Sequence, residues 1–186
     1  MLDGQPVVDH PEVLVSVFND AGVEGKTILR FEEIASRIYE QAGVSIIWKN
    51  CRLQSELRFQ RCSPPPDDRH LVLHVEHQPR SSAADMYGVA FLGQDGSGVY
   101  CDVFYDRIVK LHQASMASEA TILGIIAAHE LGHLLLGSQA HSSIGIMRPQ
   151  LLQKDFSVPE LGATTFSRQQ ARKMLDRLAG YKLKPT

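Results

Sequence analysis

The chain has 186 residues, which is enough for one hydrophobic core and too few for two domains of ordinary size. Its composition, with 44% hydrophobic and 22% charged residues, excludes a disordered, collagen-like or coiled-coil chain. The net charge of −2 offers no basic field, and no unbroken apolar stretch approaches the about 20 residues that span a bilayer, so nucleic acid and membrane are excluded as partners. We predict a monomer with a single domain at residues 1–186.

The first residues lack the basic segment and the apolar run of a signal peptide. Either the protein is cytoplasmic, or a leader was removed and the protein is secreted or periplasmic. Cys51 and Cys62 flank a short polar stretch and can close a loop by a disulfide, which favours the second alternative and leaves Cys101 unpaired. Three reduced thiols are the other interpretation, and both stay open.

The first two thirds of the chain predict a sheet with a crossover helix. The run Val13–Phe18 is typical of a strand, and apolar residues at helical spacing from Ile28 to Ala42 predict an amphipathic helix that Thr27 begins and Gly43 ends. Four more strands follow, at Val44–Trp48, Leu71–Val75, Tyr87–Leu92 and Val99–Phe104. The turn-rich residues 93–98 predict a hairpin with a mobile tip, and the whole pattern indicates an α/β fold.

Two further helices complete the prediction. A long apolar helix runs from Glu119 to Leu136, with Ser118 as its N-cap and Gly137 as the residue that ends it. Near the C-terminus, Ser167 and Gln170 form a capping-box pattern ahead of apolar residues at helical spacing. The chain therefore closes with a surface helix that ends at Gly180.

The sequence His129-Glu130-Leu131-Gly132-His133 lies inside the predicted long helix. Residues four apart share one face of a helix, so both imidazoles can present a nitrogen to one metal ion. Glu130 is rotated by about 100° around the axis, which lets it reach a metal-bound water as a general base and acid. Alternatively, the two histidines are partly buried side chains in a helix that binds no metal.

A zinc hydrolase needs three protein ligands and an open fourth position. Gly137 permits a left-handed turn that folds the chain back under the helix, and His141 follows four residues later. The three predicted ligands of one zinc ion are therefore His129, His133 and His141. Met147 follows in a short glycine-containing segment, where its side chain can form the floor of the site.

These residues resemble the metzincin clan of zinc peptidases, whose pattern is HExxHxxGxxH followed by a Met-turn. The resemblance implies that Met147 is the Met-turn residue. It also implies a twisted mixed sheet with two helices above the cleft, in an N-terminal subdomain at 1–137, and a small C-terminal subdomain at 138–186 that ends in a helix. It further implies that the strand containing Gly88, Val89 and Ala90 lines the cleft and binds an extended peptide; an ordinary half-buried strand is the alternative.

The chain departs from the clan pattern in its return loop and after its methionine. Gly137 stands four residues after His133 where the clan has three, and His141 stands eight after it where the clan has six. Some clan members have a tyrosine two residues after the methionine that assists the reaction, and Pro149 occupies that place here.

The predicted function is a zinc metalloendopeptidase that cleaves peptides or proteins, with Glu130 as the catalytic residue. One alternative is a non-catalytic module that keeps the zinc site and binds a protein partner. Another is the peptidase class whose third ligand is a glutamate, for which Glu160 is the candidate. The last is a chance motif in a protein without metal.

Overall fold

The computed structural model describes residues 10–51, 62, 69–79, 86–138, 141–151, 156 and 164–180. Within them lie five strands and four helices. In chain order they are β1 (Glu12–Asn19), α1 (Gly25–Glu40), β2 (Ser45–Cys51), β3 (His70–Glu76), β4 (Gly88–Phe91), β5 (Tyr100–Phe104), α2 (Tyr105–Gln113), α3 (Glu119–Leu136) and α4 (Arg168–Gly180).

The strands form one mixed sheet in the order β2-β1-β3-β5-β4. Every neighbouring pair is parallel except β4 and β5, which run antiparallel with Phe91 opposite Tyr100. This confirms the predicted hairpin and the crossover through α1, which connects the parallel strands β1 and β2. Strand β4 lies at one edge of the sheet, and no other strand among the described residues pairs with its outer side.

Helices α1 and α3 pack against each other and against the sheet, and their apolar residues join those of the strands in one core. Gly124 makes their close approach feasible, because a Cβ there would lie 2.9 Å from Ile34 Cγ2 and 2.9 Å from the Phe31 backbone oxygen. Helix α1 begins at Gly25 with Glu24 at the N-cap position, so the prediction that Thr27 begins it was wrong. Gln41 is the C-cap, so Gly43, predicted to end the helix, lies two residues beyond the cap, where it has a φ of 77° and donates its N–H to the Glu40 oxygen.

Helix α3 is buried on nearly all sides and has the predicted ends. The Ser118 side chain accepts a hydrogen bond from the Thr121 N–H at the first turn, and Gly137 adopts the left-handed conformation that ends the helix. With 18 residues and a mean hydropathy of 1.3, α3 is long and apolar enough to cross a membrane. However, 89% of the helix is buried inside the protein. Such burial is typical of a central core helix.

Helix α2 was not among the predicted helices. Only Ile108 is buried in this helix, so the apolar pattern is too sparse to indicate a helix. The Tyr105 hydroxyl donates to the Glu119 carboxylate, which connects the start of α2 to the start of α3. The described N-terminal part therefore has three helices, where the resemblance implied two.

The C-terminal helix and the cysteines complete the fold. In α4 the Ser167 N–H donates to Gln170 Oε1 at 2.8 Å, and the Gln170 N–H donates to Ser167 Oγ at 3.2 Å, as the capping-box prediction requires. The structure has a disulfide between Cys51 and Cys62, and Cys101 is a buried free thiol. The division into subdomains at residues 137 and 138 stays a prediction.

Candidate metal centre and cleft

The structure brings His129, His133 and His141 together. The Nε2 atoms of His129 and His133 lie 3.1 Å apart, and one ligand nitrogen from each of the three histidines falls within 4.8 Å of the others. His129 and His133 are 8% and 2% exposed, because they project from the buried helix α3, whereas His141 is exposed. A return segment two residues longer than the clan pattern therefore still delivers His141 to the other two imidazoles.

Backbone oxygens orient the two helical histidines. His129 donates from Nδ1 to the Ile146 oxygen at 2.7 Å, and His133 donates from Nδ1 to the Ser138 oxygen at 3.0 Å. A carbonyl oxygen only accepts, so the proton of each neutral ring lies on Nδ1. Both Nε2 atoms consequently carry a lone pair, which is the state that metal coordination needs.

Burial also favours the neutral form of these rings. It lowers the pKa of His129 from 6.5 to about 4, against the opposing effect of the hydrogen bond to Ile146. Burial also lowers the pKa of His133, and the hydrogen bond to the Ser138 carbonyl opposes this shift. Both imidazoles are therefore neutral at pH 7.

The side chain of Glu130 projects from the same helix toward β4. Its side chain lies against Gly88, since a Cβ on Gly88 would be 2.7 Å from Glu130 Cγ. Burial raises the pKa of Glu130 to about 8, and a hydrogen bond from the Ala90 backbone N–H acts in the opposite direction. A cation close by would also lower this pKa.

Met147 packs against Gly132, which directly precedes His133 in the sequence. It is fully buried, and a Cβ on Gly132 would lie 2.8 Å from its Sδ and 2.9 Å from Phe166 Cε1. Its backbone oxygen accepts a 2.8 Å hydrogen bond from the N–H of Ser142, which directly follows His141. The segment 142–147 is thus a closed turn between the third histidine and the methionine.

A cleft of about 360 Å³ opens beside the three histidines and Glu130. Residues 86–90 form one side, which includes the predicted substrate-binding residues Gly88, Val89 and Ala90. Residues 148–151 form the other side. All of the predicted catalytic, ligand and substrate-binding residues therefore meet at this cleft.

Sequence reasoning missed three contributors to this site. Arg148 lines the cleft and was not singled out, although its place directly after Met147 could have indicated it. The backbone oxygens of Ser138 and Ile146 were also missed, and nothing in the side-chain pattern identifies them. Glu160, the alternative third ligand, lies outside the described residues.

Four other histidines have partners away from this cleft. His70 lies 2.7 Å from Ser16 Oγ, and the remaining three, His74, His77 and His112, contact Asp20, Asp106 and the Ala117 oxygen. The ring of His74 also stacks on Phe18. Asp20, His74 and Glu76 form a second group of ligand-type side chains, where the 3.0 Å contact between His74 Nδ1 and Asp20 Oδ2 accounts for the position of His74.

No family model and no curated protein matches the sequence. Among solved structures, the chain is similar to archaemetzincin from Methanopyrus kandleri, with a TM-score of 0.55 and 18% identity over 91% of this chain and 97% of the other. It is also similar to metalloproteinase-II from Bacteroides fragilis, with a TM-score of 0.57 and 12% identity over 90% of this chain and 53% of the other. This chain has a metallopeptidase-like fold. The predicted mixed α/β architecture is confirmed by these likenesses.

Proposed function

We propose that this protein is a zinc-dependent endopeptidase of metzincin type. One observation carries the proposal: the nitrogens of His129, His133 and His141 converge beside the buried carboxyl group of Glu130 in a single cleft. The metallopeptidase-like fold supports the proposal, and peptides or proteins are the substrates that it implies.

The donor set fits one zinc ion. In a tetrahedral site with zinc–nitrogen distances of about 2.0–2.1 Å, ligand nitrogens lie about 3.3 Å apart. The 3.1 Å between the Nε2 atoms of His129 and His133 is close to that value. Three imidazole nitrogens leave the fourth position open, and zinc bound there would supply a Lewis acid for the scissile carbonyl and for water activation.

In this mechanism Glu130 is the general base and then the general acid. It takes a proton from the attacking water and gives that proton to the leaving amine, so no covalent intermediate with the protein forms. The Ala90 N–H holds the carboxylate in place, and burial supports retention of a proton near neutral pH. These two influences act in opposite directions on the pKa and suit a group that must both accept and release a proton.

Strand β4, an edge strand of the sheet that the described residues form, is the proposed substrate-binding strand. It borders the cleft through Gly88, Val89 and Ala90, and an extended peptide can add to such an edge by backbone hydrogen bonds. The strand that would hold the peptide also contacts Glu130. A bound peptide would therefore lie against the element that positions the general base.

Met147 is proposed as the Met-turn residue. Met147 is fully buried against Gly132, and Gly132 lies between the two helical histidines in the sequence, which supports this role. The turn 142–147 begins directly after His141, and its Ile146 oxygen accepts the hydrogen bond from His129.

The test combines metal analysis with a peptide-library cleavage assay read by mass spectrometry. We expect one zinc ion per chain and internal cleavage in the wild-type protein, zinc without cleavage in Glu130→Gln, and wild-type behaviour in Glu40→Gln, whose glutamate is exposed on α1. Zinc with cleavage that does not depend on Glu130, or no cleavage at all, would favour the binding-module alternative. A wild-type protein that binds no zinc would refute the proposal.

A further inference from the structure

Three separate parts of the chain meet at the C-terminal end of α3. They are Gly137, which ends that helix, Gly96 in the turn of the β4–β5 hairpin, and Arg177 of α4. The hairpin turn was predicted to be mobile, but in the structure it packs on the end of α3. We call this contact the α3 junction.

The α3 junction is close-packed because neither glycine has a side chain. A Cβ on Gly96 would lie 2.3 Å from the Gly137 oxygen, and a Cβ on Gly137 would lie 1.6 Å from Arg177 Nη1. Both glycines have positive φ values, 77° and 62°. The Arg177 guanidinium therefore rests directly on the Gly137 backbone, and its Nη2 donates to the Gly96 oxygen at 3.1 Å.

The charge of Arg177 suits this position. The C-terminal end of a helix carries partial negative charge on its last carbonyl groups, and a cation placed there is stabilising. Lys173, one turn earlier in α4, approaches the same end and donates to Ser138 Oγ at 3.4 Å. Helix α4 thus presents two basic side chains to the place where the chain leaves α3.

The residue after the junction is part of the candidate metal centre. The Ser138 backbone oxygen accepts the hydrogen bond from His133 Nδ1, and His141 lies three residues further along. Because Gly137 and Ser138 are bonded neighbours, a shift of Gly137 would move the carbonyl that orients His133. It would also move the start of the segment that ends at His141.

We propose that Arg177 is a positioning residue for the metal centre, which it serves by holding Gly137 against Gly96. This inference rests on the proposed zinc site. Arg177 itself contacts neither the metal nor the substrate. It acts through the Ser138 carbonyl on His133.

The test measures zinc affinity by competition with a chelator at pH 7 and compares Arg177→Met, Arg177→Lys and the control Arg172→Met on the exposed face of α4. Loss of a residue that supports a metal ligand typically weakens binding by about 10–100-fold, so we expect at least about 10-fold for Arg177→Met. The lysine variant keeps the charge but loses the second donor nitrogen, so its affinity should be intermediate. The Arg172 variant should stay within about twofold of wild type.

A second measurement separates positioning from general stability. Cobalt(II) replaces zinc in each variant, and its absorption spectrum at saturation reports the ligand geometry. We expect an altered spectrum for Arg177→Met and a spectrum closer to wild type for Arg177→Lys. Thermal unfolding of the metal-free proteins shows how much stability each variant has lost.

The inference is overturned if Arg177→Met binds zinc within twofold of wild type. It is also overturned if the affinity falls only as far as the lost stability accounts for, with an unchanged cobalt spectrum. If Arg177→Met does not fold, Arg177→Lys decides by the same two criteria. A wild-type protein without zinc affinity would instead contradict the proposed function itself.

Discussion

His129 donates from Nδ1 to the backbone oxygen of Ile146 at 2.7 Å, and Ile146 directly precedes Met147. A proposed metal ligand on the central helix is therefore hydrogen-bonded to the turn that contains the buried methionine. That turn is itself anchored, because the Ile146 N–H donates to the Thr165 oxygen at 3.1 Å. The partner that orients the His129 ring is thus a backbone carbonyl next to Met147.

The first prediction concerns Met147. Met147→Ala removes a fully buried side chain that contacts Gly132, so it should lower the free energy of unfolding by about 2–5 kcal/mol. Met147→Leu keeps the volume and should cost less than about 1.5 kcal/mol. Urea unfolding of the metal-free proteins measures both values, and a cost below about 1 kcal/mol for the alanine variant would show that the methionine is not a packed support.

The second prediction concerns the contact between Gly88 and Glu130. A Cβ at Gly88 would lie 2.7 Å from Glu130 Cγ and 2.8 Å from the Asp102 backbone oxygen, so Gly88→Ala must displace the glutamate or the strand. We expect kcat to fall by at least about 10-fold, since a misplaced general base loses much of its about 100–10,000-fold contribution. Zinc content should stay at the wild-type level.

The matched control for Gly88→Ala is Gly25→Ala. A Cβ on Gly25 would meet no atom within 4 Å, so this variant should keep the wild-type kcat and zinc content. Equal activity of the two alanine variants would contradict the role assigned to Gly88. Loss of zinc in Gly88→Ala would show that the strand supports the metal site as well as the base.

Much of the fold follows from local patterns. The long helix α3 was predicted with its N-cap Ser118 and its terminal Gly137, because capping residues and an apolar run coincide there. Histidines four residues apart on such a helix must share a face, which predicts their convergence in the structure. Helix α2 escaped prediction because only one of its residues is buried.

The remaining parts of the site depend on the path of the backbone. The oxygens of Ser138 and Ile146 accept hydrogen bonds from His133 and His129, but every residue has a carbonyl, so no residue type marks them. The contact between Arg177 and Gly96 joins positions 81 residues apart. Such contacts follow from the tertiary fold and cannot be inferred from periodicity.

The third prediction is a pH dependence in the metal-free protein. The pKa of His129 is about 4 in the folded protein and 6.5 unfolded, so its stabilising contribution is lost as the pH falls from 6.5 toward 4. The pKa of Glu130 is about 8 folded and 4.5 unfolded, so its contribution is lost as the pH rises from 4.5 toward 8. Between pH 6.5 and 8 the titration of Glu130 outweighs that of His129. The free energy of unfolding should therefore fall as the pH rises, with a slope of at most about 1.4 kcal/mol per pH unit.

The comparison with Glu130→Gln isolates that effect. Subtracting the free energy of unfolding of the glutamine variant from that of wild type removes the histidine contributions and all distant groups. We expect this difference to decrease between pH 4.5 and 8. A constant difference over that interval would mean that the folded protein does not hold the Glu130 proton, and the assigned acid–base role would lose its support.

The fourth prediction concerns coupling between zinc and stability. A ligand that binds only the folded state stabilises it by about 4 kcal/mol at 1,000 times its dissociation constant, so zinc should raise the unfolding temperature of wild type. His141 is exposed, so His141→Ala should leave the metal-free protein nearly as stable as wild type while abolishing most of the zinc-induced rise. His77→Ala, which removes another exposed histidine, should retain the full rise. Calorimetry with and without zinc measures these shifts, and an undiminished rise in His141→Ala would remove His141 from the ligand set.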